Sequence, residues 1–213
     1  MEKKIREVFS LLKRALLEII YPKDNKCIIC GEDEVEGLCT RCKLNITYCE
    51  GEELCLGYYR GVLKELILMF KFKSRFDAGE ELIKLLEEKV INLIDKDYII
   101  TFIPIGRESL NVRGFNQCEY LARELGLRNN YRVLDTLVKV KENKVQKTLR
   151  REERFENIKG VFKVINEDEV KGKNFIILDD VVTTGATLKE AKKILKEAGA
   201  NKIKLLTLAK SYV

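Results

Sequence analysis

Short apolar runs rich in β-branched residues alternate with longer stretches of helical periodicity from about residue 58 onward. The runs occupy residues 98–105, 160–165, 175–178 and 203–208. Strands that alternate with helical segments are typical of an α/β protein, in which helices cover the faces of a sheet. The pattern therefore predicts an α/β sheet flanked by helices.

The N-terminal segment carries an apolar stripe at helical spacing, and Pro22 follows it. The stripe consists of Ile5, Val8, Leu12, Leu16 and Ile19. It predicts an amphipathic helix that packs on the protein or contacts a partner or a membrane surface. Lys13, Arg14 and Glu18 break the segment before a signal peptide or a membrane span could form. We therefore expect a cytoplasmic chain whose cysteines are reduced.

The composition restricts the possible catalytic chemistry mainly through a residue type that is absent. The 213 residues are 46% hydrophobic, enough for one sizeable core with a small satellite or for two small domains. The net charge of +6 favours polyanionic or phosphorylated partners. The chain contains no histidine, which excludes an imidazole base, a Ser-His or Cys-His dyad and a histidine metal ligand.

Four of the 7 cysteines form two CxxC pairs, Cys27 with Cys30 and Cys39 with Cys42. Two such pairs can wrap one ion tetrahedrally, because each tight turn presents two thiolates. Zinc is the default metal for such a site, and an iron centre or unmetallated thiols are the alternatives. Gly31 suits a turn that needs a positive φ. The pattern predicts a closed, structural zinc site.

The segment around these cysteines is too short to bury a core of its own, so the metal would supply its folding energy. We predict an N-terminal helix and four-cysteine zinc domain over residues 1–56 and an α/β domain over residues 57–213. Cys49 and Cys55 are either buried or spare thiols or a degenerate second site. Cys118 lies in a helical stretch, and we predict that it packs in the core.

The most informative stretch, residues 175–199, reads as a strand, a hydroxyl-rich loop and a helix that ends at Gly199. The loop consists of Thr183, Thr184, Gly185, Ala186 and Thr187. A helix N-terminus after such a loop offers free backbone N–H groups and the positive end of the helix dipole to a phosphate monoester. Gly185 lets the backbone approach the anion, and the threonine hydroxyls add donors.

Asp179 and Asp180 stand between that strand and the loop. Two carboxylates would repel a phosphate, so we expect them to accept hydrogen bonds from a ribose diol or to hold magnesium through water. A polar turn with a helix N-cap would explain single threonines but not the doubled acid. A Walker B acid lacks its GxxxxGK[ST] partner, and an acylphosphate aspartate is a further alternative. Together the residues predict a sugar-phosphate site.

The acid pair and the Thr-Thr-Gly loop resemble the phosphoribosyltransferase signature, and the chain from about Cys27 onward resembles the ComF family of competence-associated proteins. Further matching features are Tyr59-Arg-Gly61, Lys71-Phe72, Pro104-Ile-Gly, Arg113-Gly-Phe-Asn-Gln117, Gln146, Leu149, Arg154, Asn157, Gly160 and Phe162. The resemblance implies a type I phosphoribosyltransferase-like sheet preceded by a small zinc ribbon. It also implies binding of 5-phosphoribosyl-1-pyrophosphate (PRPP) with magnesium, and phosphoribosyl transfer in competence or DNA uptake and processing.

The same resemblance implies roles for individual residues. Asp179 and Asp180 would bind the ribose hydroxyls, residues 183–187 would bind the 5-phosphate, and Arg107 would join the two acids as a catalytic residue. The implied pyrophosphate-binding loop consists of Pro104, Ile105, Gly106 and Arg107. Residues 113–117 would either line the pocket or pack at a helix start. Thr183 stands where 6-oxopurine salvage enzymes carry a carboxylate, which argues against hypoxanthine or guanine as the acceptor.

A basic stretch consists of Lys144, Lys147, Arg150, Arg151 and Arg154. By resemblance it would be the flexible loop that closes over the substrate, and the alternatives are a DNA contact or a solvated charged segment. The alternative function is a non-enzymatic, single-stranded-DNA-binding competence factor. Its partners would include competence proteins, and its ribose-phosphate pocket would be vestigial or regulatory. Against that alternative stand an aromatic content of 8% and the lack of a stacking motif beside the basic stretch.

Overall fold

The computed structural model describes residues 25–50, 54–89, 91–141 and 158–211. The predicted N-terminal helix and the basic stretch lie outside the described residues. No helix in the described ranges is both long enough and apolar enough to cross a bilayer.

Four parallel strands form the main sheet, in the order β1, β6, β5, β2. They are β1 (Cys55–Tyr58), β2 (Tyr98–Phe102), β5 (Asn174–Val182) and β6 (Ile203–Lys210). β6, the last strand of the sheet in the sequence, therefore lies between β1 and β5. Every residue of β2 is buried, as expected for a strand that is covered on both faces.

Two short strands, β3 (Leu137–Lys139) and β4 (Phe162–Val164), form a separate antiparallel pair. The apolar run at residues 160–165 thus does form a strand, but not in the parallel sheet. Burial alternates along β4, with only Phe162 fully covered, which is the pattern of a ribbon that is buried on one face.

Seven α-helices are described. They are α1 (Thr40–Leu44), α2 (Gly61–Lys73), α3 (Phe76–Lys89), α4 (Arg107–Arg113), α5 (Gln117–Asn129), α6 (Glu167–Val170) and α7 (Ala186–Glu197). A 3-10 turn covers Ile91–Leu93. Buried residues of α2, α3 and α5 pack on one face of the sheet, against Ile176 and Leu178 of β5. Helix α7 packs on the other face, against Phe175 and Ile177. The predicted α/β sheet flanked by helices is confirmed.

The cysteine segment packs into the apolar core on the face of the sheet that α2, α3 and α5 cover. Cys27, Cys39 and Cys42 are buried in the same apolar cluster as residues of α2 and α3. Glu81 of α3 is buried, and its carboxylate lies close to Gly37. The predicted boundary after residue 56 falls within β1. The division into two domains stays a prediction.

Candidate functional site

The loop between β5 and α7 forms the floor of the candidate site. Residues 183–187 line one pocket together with Asp179 and the end of β5. Gly185 precedes the first turn of α7 with φ 73° and ψ 5°, a left-handed conformation that strains any residue with a side chain. The Ala186 N–H donates to Thr184 Oγ1 at 3.4 Å. The pocket is therefore lined by hydroxyl-bearing residues and by the N-terminal end of α7, where an anion is favoured.

Asp180 is held as a carboxylate by three donors. Lys71 Nζ donates to Asp180 Oδ2, which also accepts from Gln117 Nε2 at 2.9 Å. The Val181 N–H donates to Oδ1 at 2.7 Å. Burial alone would raise the pKa of Asp180, but the Lys71 ammonium and these hydrogen bonds keep it below its ordinary value. Both oxygens of this carboxylate are engaged.

Asp179 has the opposite environment, although it is the neighbouring residue. Its Oδ1 accepts the Asp180 N–H at 2.9 Å, and the Cys118 thiol lies 3.9 Å away. Burial, reinforced by the charge of Asp180, raises the pKa of Asp179 to about 7. The pair thus combines one firmly ionised acid with one that takes up a proton readily.

The loop after β2 meets the acid pair at the carboxyl edge of the sheet. Phe102 is the register partner of Leu178, the residue before the acid pair. The Ile103 N–H donates to the Leu178 carbonyl at 3.0 Å. Asn116 Nδ2 donates to the Ile103 carbonyl at 3.1 Å and so fixes the start of the loop. Parallel strands place ligands at this edge.

The predicted pyrophosphate loop follows directly. Pro104 and Ile105 are half-buried, Gly106 precedes α4, and Arg107 is the exposed first residue of that helix. The two predicted loops therefore lie on adjacent strands, with the acid pair at the end of one of them.

Sequence reasoning missed the roles of Lys71 and Gln117. Lys71 was only a matching feature of the family, and residues 113–117 were left either to line the pocket or to pack at a helix start, with no partner assigned. The structure brings them to the same oxygen of Asp180, from α2 and from the start of α5. Lys71 is 109 residues from Asp180 in the sequence, so local patterns carry no signal for this contact.

The four predicted metal-binding cysteines converge. The sulfur atoms of Cys27, Cys30, Cys39 and Cys42 all lie within 4.8 Å of one another. Gly31 has φ 74°, so the predicted positive φ is confirmed. An all-thiolate set that gathers this closely fits a tetrahedral zinc ion.

Backbone donors prepare this cluster for thiolates. The Cys39 N–H points at Cys27 Sγ and the Cys42 N–H at Cys39 Sγ, each at 3.4 Å. Burial raises the pKa of Cys27, but hydrogen bonds from backbone N–H groups outweigh it and lower the pKa to about 6. Burial and the neighbouring thiols raise the pKa of Cys42, so the backbone favours the ionised form at Cys27 and not at all four positions.

The remaining cysteines lie apart from this cluster. Cys49 and Cys55 place their sulfur atoms 2.8 Å apart. Among the described residues no further cysteine or carboxylate joins them in a potential metal site. Cys118 is buried in the core, which confirms the sequence prediction, and it lies directly beneath Asp179.

Comparison with known proteins supports this architecture. Residues 77–211 match the family model described as "Phosphoribosyl transferase domain". The "Competence protein ComFC" of Bacillus subtilis is 31% identical over 87% of this chain and 78% of its own length. The chain belongs to the ComF family. The ComFC protein of Streptococcus pneumoniae is 29% identical over 88% of the chain and 81% of its own length.

A third protein similar to this chain is the "DNA utilization protein YhgH" of Salmonella typhi. It is 30% identical over 72% of the chain and 69% of its own length. The matched phosphoribosyltransferase domain contains the acid pair and both loops, whereas the cysteine cluster precedes it. In this ComF chain a phosphoribosyltransferase-type sheet thus follows a four-cysteine module.

Proposed function

We propose that this ComF protein binds PRPP with magnesium at the carboxyl edge of its sheet and acts as a phosphoribosyltransferase. The observation that carries the proposal is the meeting of the acid pair, the Gly185 turn and the loop after β2 at one edge. An anion-binding turn beside buried acids suits a ligand that carries both phosphate and hydroxyl groups.

Each element has a proposed role. The N-terminal N–H groups of α7 and the hydroxyls of residues 183–187 would hold the 5-phosphate. Asp179 and Asp180 would accept hydrogen bonds from the ribose diol and hold magnesium through water. The loop after Pro104 would hold the diphosphate, with Arg107 at its rim. Magnesium would supply positive charge to the departing pyrophosphate.

The buried acid pair also constrains the reaction. Transfer would break the bond from C1 of the ribose to pyrophosphate and form one to an acceptor, through an oxocarbenium-like transition state. The low pKa of Asp180 supports a carboxylate that stays ionised throughout. Thr183, in the place of a carboxylate, argues against a 6-oxopurine acceptor.

The cellular role is proposed from the relatives. Their names refer to competence and to DNA utilisation, so we propose that the chain acts in DNA uptake or processing. The cysteine cluster would bind one structural zinc ion.

A second candidate function is a non-enzymatic, single-stranded-DNA-binding competence factor with a vestigial or regulatory pocket. One observation favours it: Lys71, Gln117 and the Val181 N–H already engage both oxygens of Asp180. A ligand would have to displace or share these donors.

Calorimetric titration with PRPP, with and without magnesium, tests the proposal. Gly185→Val should abolish measurable binding, because a β-branched residue resists φ 73° and crowds the anion site. Gly172→Val is the matched control, since Gly172 has φ 72° and precedes the amino end of β5, opposite the carboxyl end at which the site lies. It should lose similar stability in thermal melts and keep PRPP affinity.

A pyrophosphate-release assay with bases, amines and DNA as acceptors would then separate the two functions. Release that needs both magnesium and an acceptor supports a transferase. If the wild-type protein does not bind PRPP at millimolar concentration with magnesium, the proposal is wrong and the DNA-binding function remains.

A further inference from the structure

An exposed aromatic ring stands at the rim of the acid pair. Phe72, near the end of α2, is 57% exposed. Its neighbour Lys71 pairs with Asp180, and Lys71 Nζ is 5.9 Å from the centre of the Phe72 ring. This large apolar side chain lies outside the pocket that is lined by Asp179 and residues 181–188. It lies outside the core, and its exposure beside the acid pair leaves the ring accessible to a ligand.

A guanidinium accompanies the ring. The Arg113 side chain, at the end of α4, has Cζ 5.2 Å from the centre of the Phe72 ring. Arg113 Nη1 donates to Gln117 Oε1 at 3.2 Å, and Gln117 in turn donates to Asp180. No carboxylate within the described ranges forms an ion pair with Arg113. One chain of contacts therefore fixes ring, guanidinium and acid pair relative to each other.

Further pairs of aromatic rings and cations occur at the other end of α2. Lys64 Nζ is 5.8 Å from the centre of the Tyr59 ring, and Arg60 Cζ is 5.7 Å from that of Tyr58. Burial raises the pKa of Tyr59, and the charges of Lys71 and Asp180 also act on it. Pairs of rings and cations thus occur at both ends of α2. This is the composition of surfaces that bind single strands, in which bases stack and phosphates pair with cations.

We propose that Phe72 and Arg113 form a stacking site for a base of single-stranded DNA at the mouth of the acid-pair site. A polymer fits better than a free base, because the ring lies on an open rim and the neighbouring cations suit phosphates on either side of the stacked base. The choice of DNA rests on the proposed function, as does the ribose-phosphate ligand of the adjoining pocket. The stacking site itself does not depend on that ligand.

The chain contains no tryptophan, so Phe72→Trp places a single fluorescent reporter on the ring position. A short oligothymidylate should quench its emission, because a stacked base lies directly against the indole. An oligomer of the same length with abasic sites should bind more weakly and leave the emission unchanged. Leu127→Trp is the matched control: residue 127 is 50% exposed on α5, and its emission should not respond to DNA.

Phe72→Ala should weaken binding of the same oligomer, measured by fluorescence anisotropy, by roughly tenfold to a hundredfold, the usual cost of losing one stacked base. Its melting midpoint and its PRPP affinity should match the wild type, because the ring is exposed and outside the proposed PRPP contacts. If PRPP fails to bind the wild-type protein while Phe72→Trp is still quenched, the proposed function fails and the stacking site stands.

Two results would overturn the stacking site. One is DNA affinity of Phe72→Ala within about twofold of wild type, since a stacked base contributes more than that. The other is quenching of Phe72→Trp by a mononucleotide at the concentrations at which the oligomer acts, which would assign the ring to a small molecule.

Discussion

The cysteine cluster and the acid pair both crowd like groups together, and each lowers the pKa of one member, Cys27 or Asp180, while it raises that of another, Cys42 or Asp179. Around the cysteines, backbone N–H groups point at the sulfur atoms and lower the pKa of Cys27 against the effect of burial. Around the acids, burial and a neighbouring charge raise the pKa of Asp179. The lowered pKa depends on the local backbone at Cys27, but at Asp180 it depends on the ammonium of Lys71 from a helix distant in the sequence. The raised pKa of Asp179 lies at a site that tertiary contacts assemble, which is where function is expected.

The largest effect should come from the metal. Cys27→Ser, or chelation of the wild type, should remove about 5 kcal/mol of stability and lower the melting midpoint by roughly 10 to 20 °C. Because the cysteines share a core with α2 and α3, the whole described core should respond. Metal analysis and calorimetry measure both effects, and Cys49→Ser should keep the metal.

Separate melting transitions for the cysteine segment and the sheet would instead support independent domains at residues 1–56 and 57–213. Metal-free wild-type protein with four freely titratable thiols would contradict the zinc assignment.

The second prediction concerns the ion pair between Lys71 and Asp180. Asp180→Asn should cost about 3 to 5 kcal/mol, because it leaves the Lys71 ammonium largely buried without its counter-charge. Lys71→Met should cost a similar amount, and the double variant should recover much of the loss. Urea denaturation of the four proteins gives the coupling energy. Additive losses would show that Lys71 and Asp180 do not act as a pair.

The strands that sequence predicted best are those with long apolar runs, namely β2, β5 and β6. Strand β1 was missed because it spans only Cys55–Tyr58 and follows a polar, cysteine-bearing segment. Its pairing with β6, residue 55 with residue 207, stabilises it as a strand. The loop after β5 could be predicted because its residues are contiguous in the sequence. Lys71, Gln117 and Phe72 reach the site only through tertiary packing, which one sequence does not encode locally.

The third prediction concerns Asp179, whose replacement should stabilise the protein, whereas replacement of Asp180 should destabilise it. Its folded-state pKa of about 7 lies above its ordinary 3.8, so the folded state binds the proton more tightly. Its contribution to stability is fully present below about pH 4 and is lost as the pH rises through 7. Asp179→Asn should therefore be more stable than wild type at pH 8 by roughly 1 to 4 kcal/mol.

The corresponding measurement is urea denaturation at pH 4 and pH 8 without magnesium. The gain should disappear at the lower pH, where wild-type Asp179 is already protonated. A gain that is equal at both values would assign it to packing and not to charge.

The smallest effect is expected from the basic stretch. Replacing Arg150 and Arg151 by glutamate should weaken single-stranded-DNA binding and reduce the slope of log affinity against log salt by about 0.7 for each lost phosphate contact. Anisotropy titrations over a range of salt concentrations measure the slope. An unchanged slope would move the ionic contacts elsewhere, most directly to the cations around Phe72.

The position of β6 sets the timing of assembly during translation. β1 ends at Tyr58, but its hydrogen-bonding partner begins only at Ile203. At ribosomal rates of ~5–20 residues per second, the first strand waits on the order of ten seconds for its neighbour. The four cysteines leave the ribosome within a span of sixteen residues, Cys27 to Cys42, and the proposed zinc ion would bind during that interval. With that metal, the nascent chain would gain a local anchor well before its sheet can close.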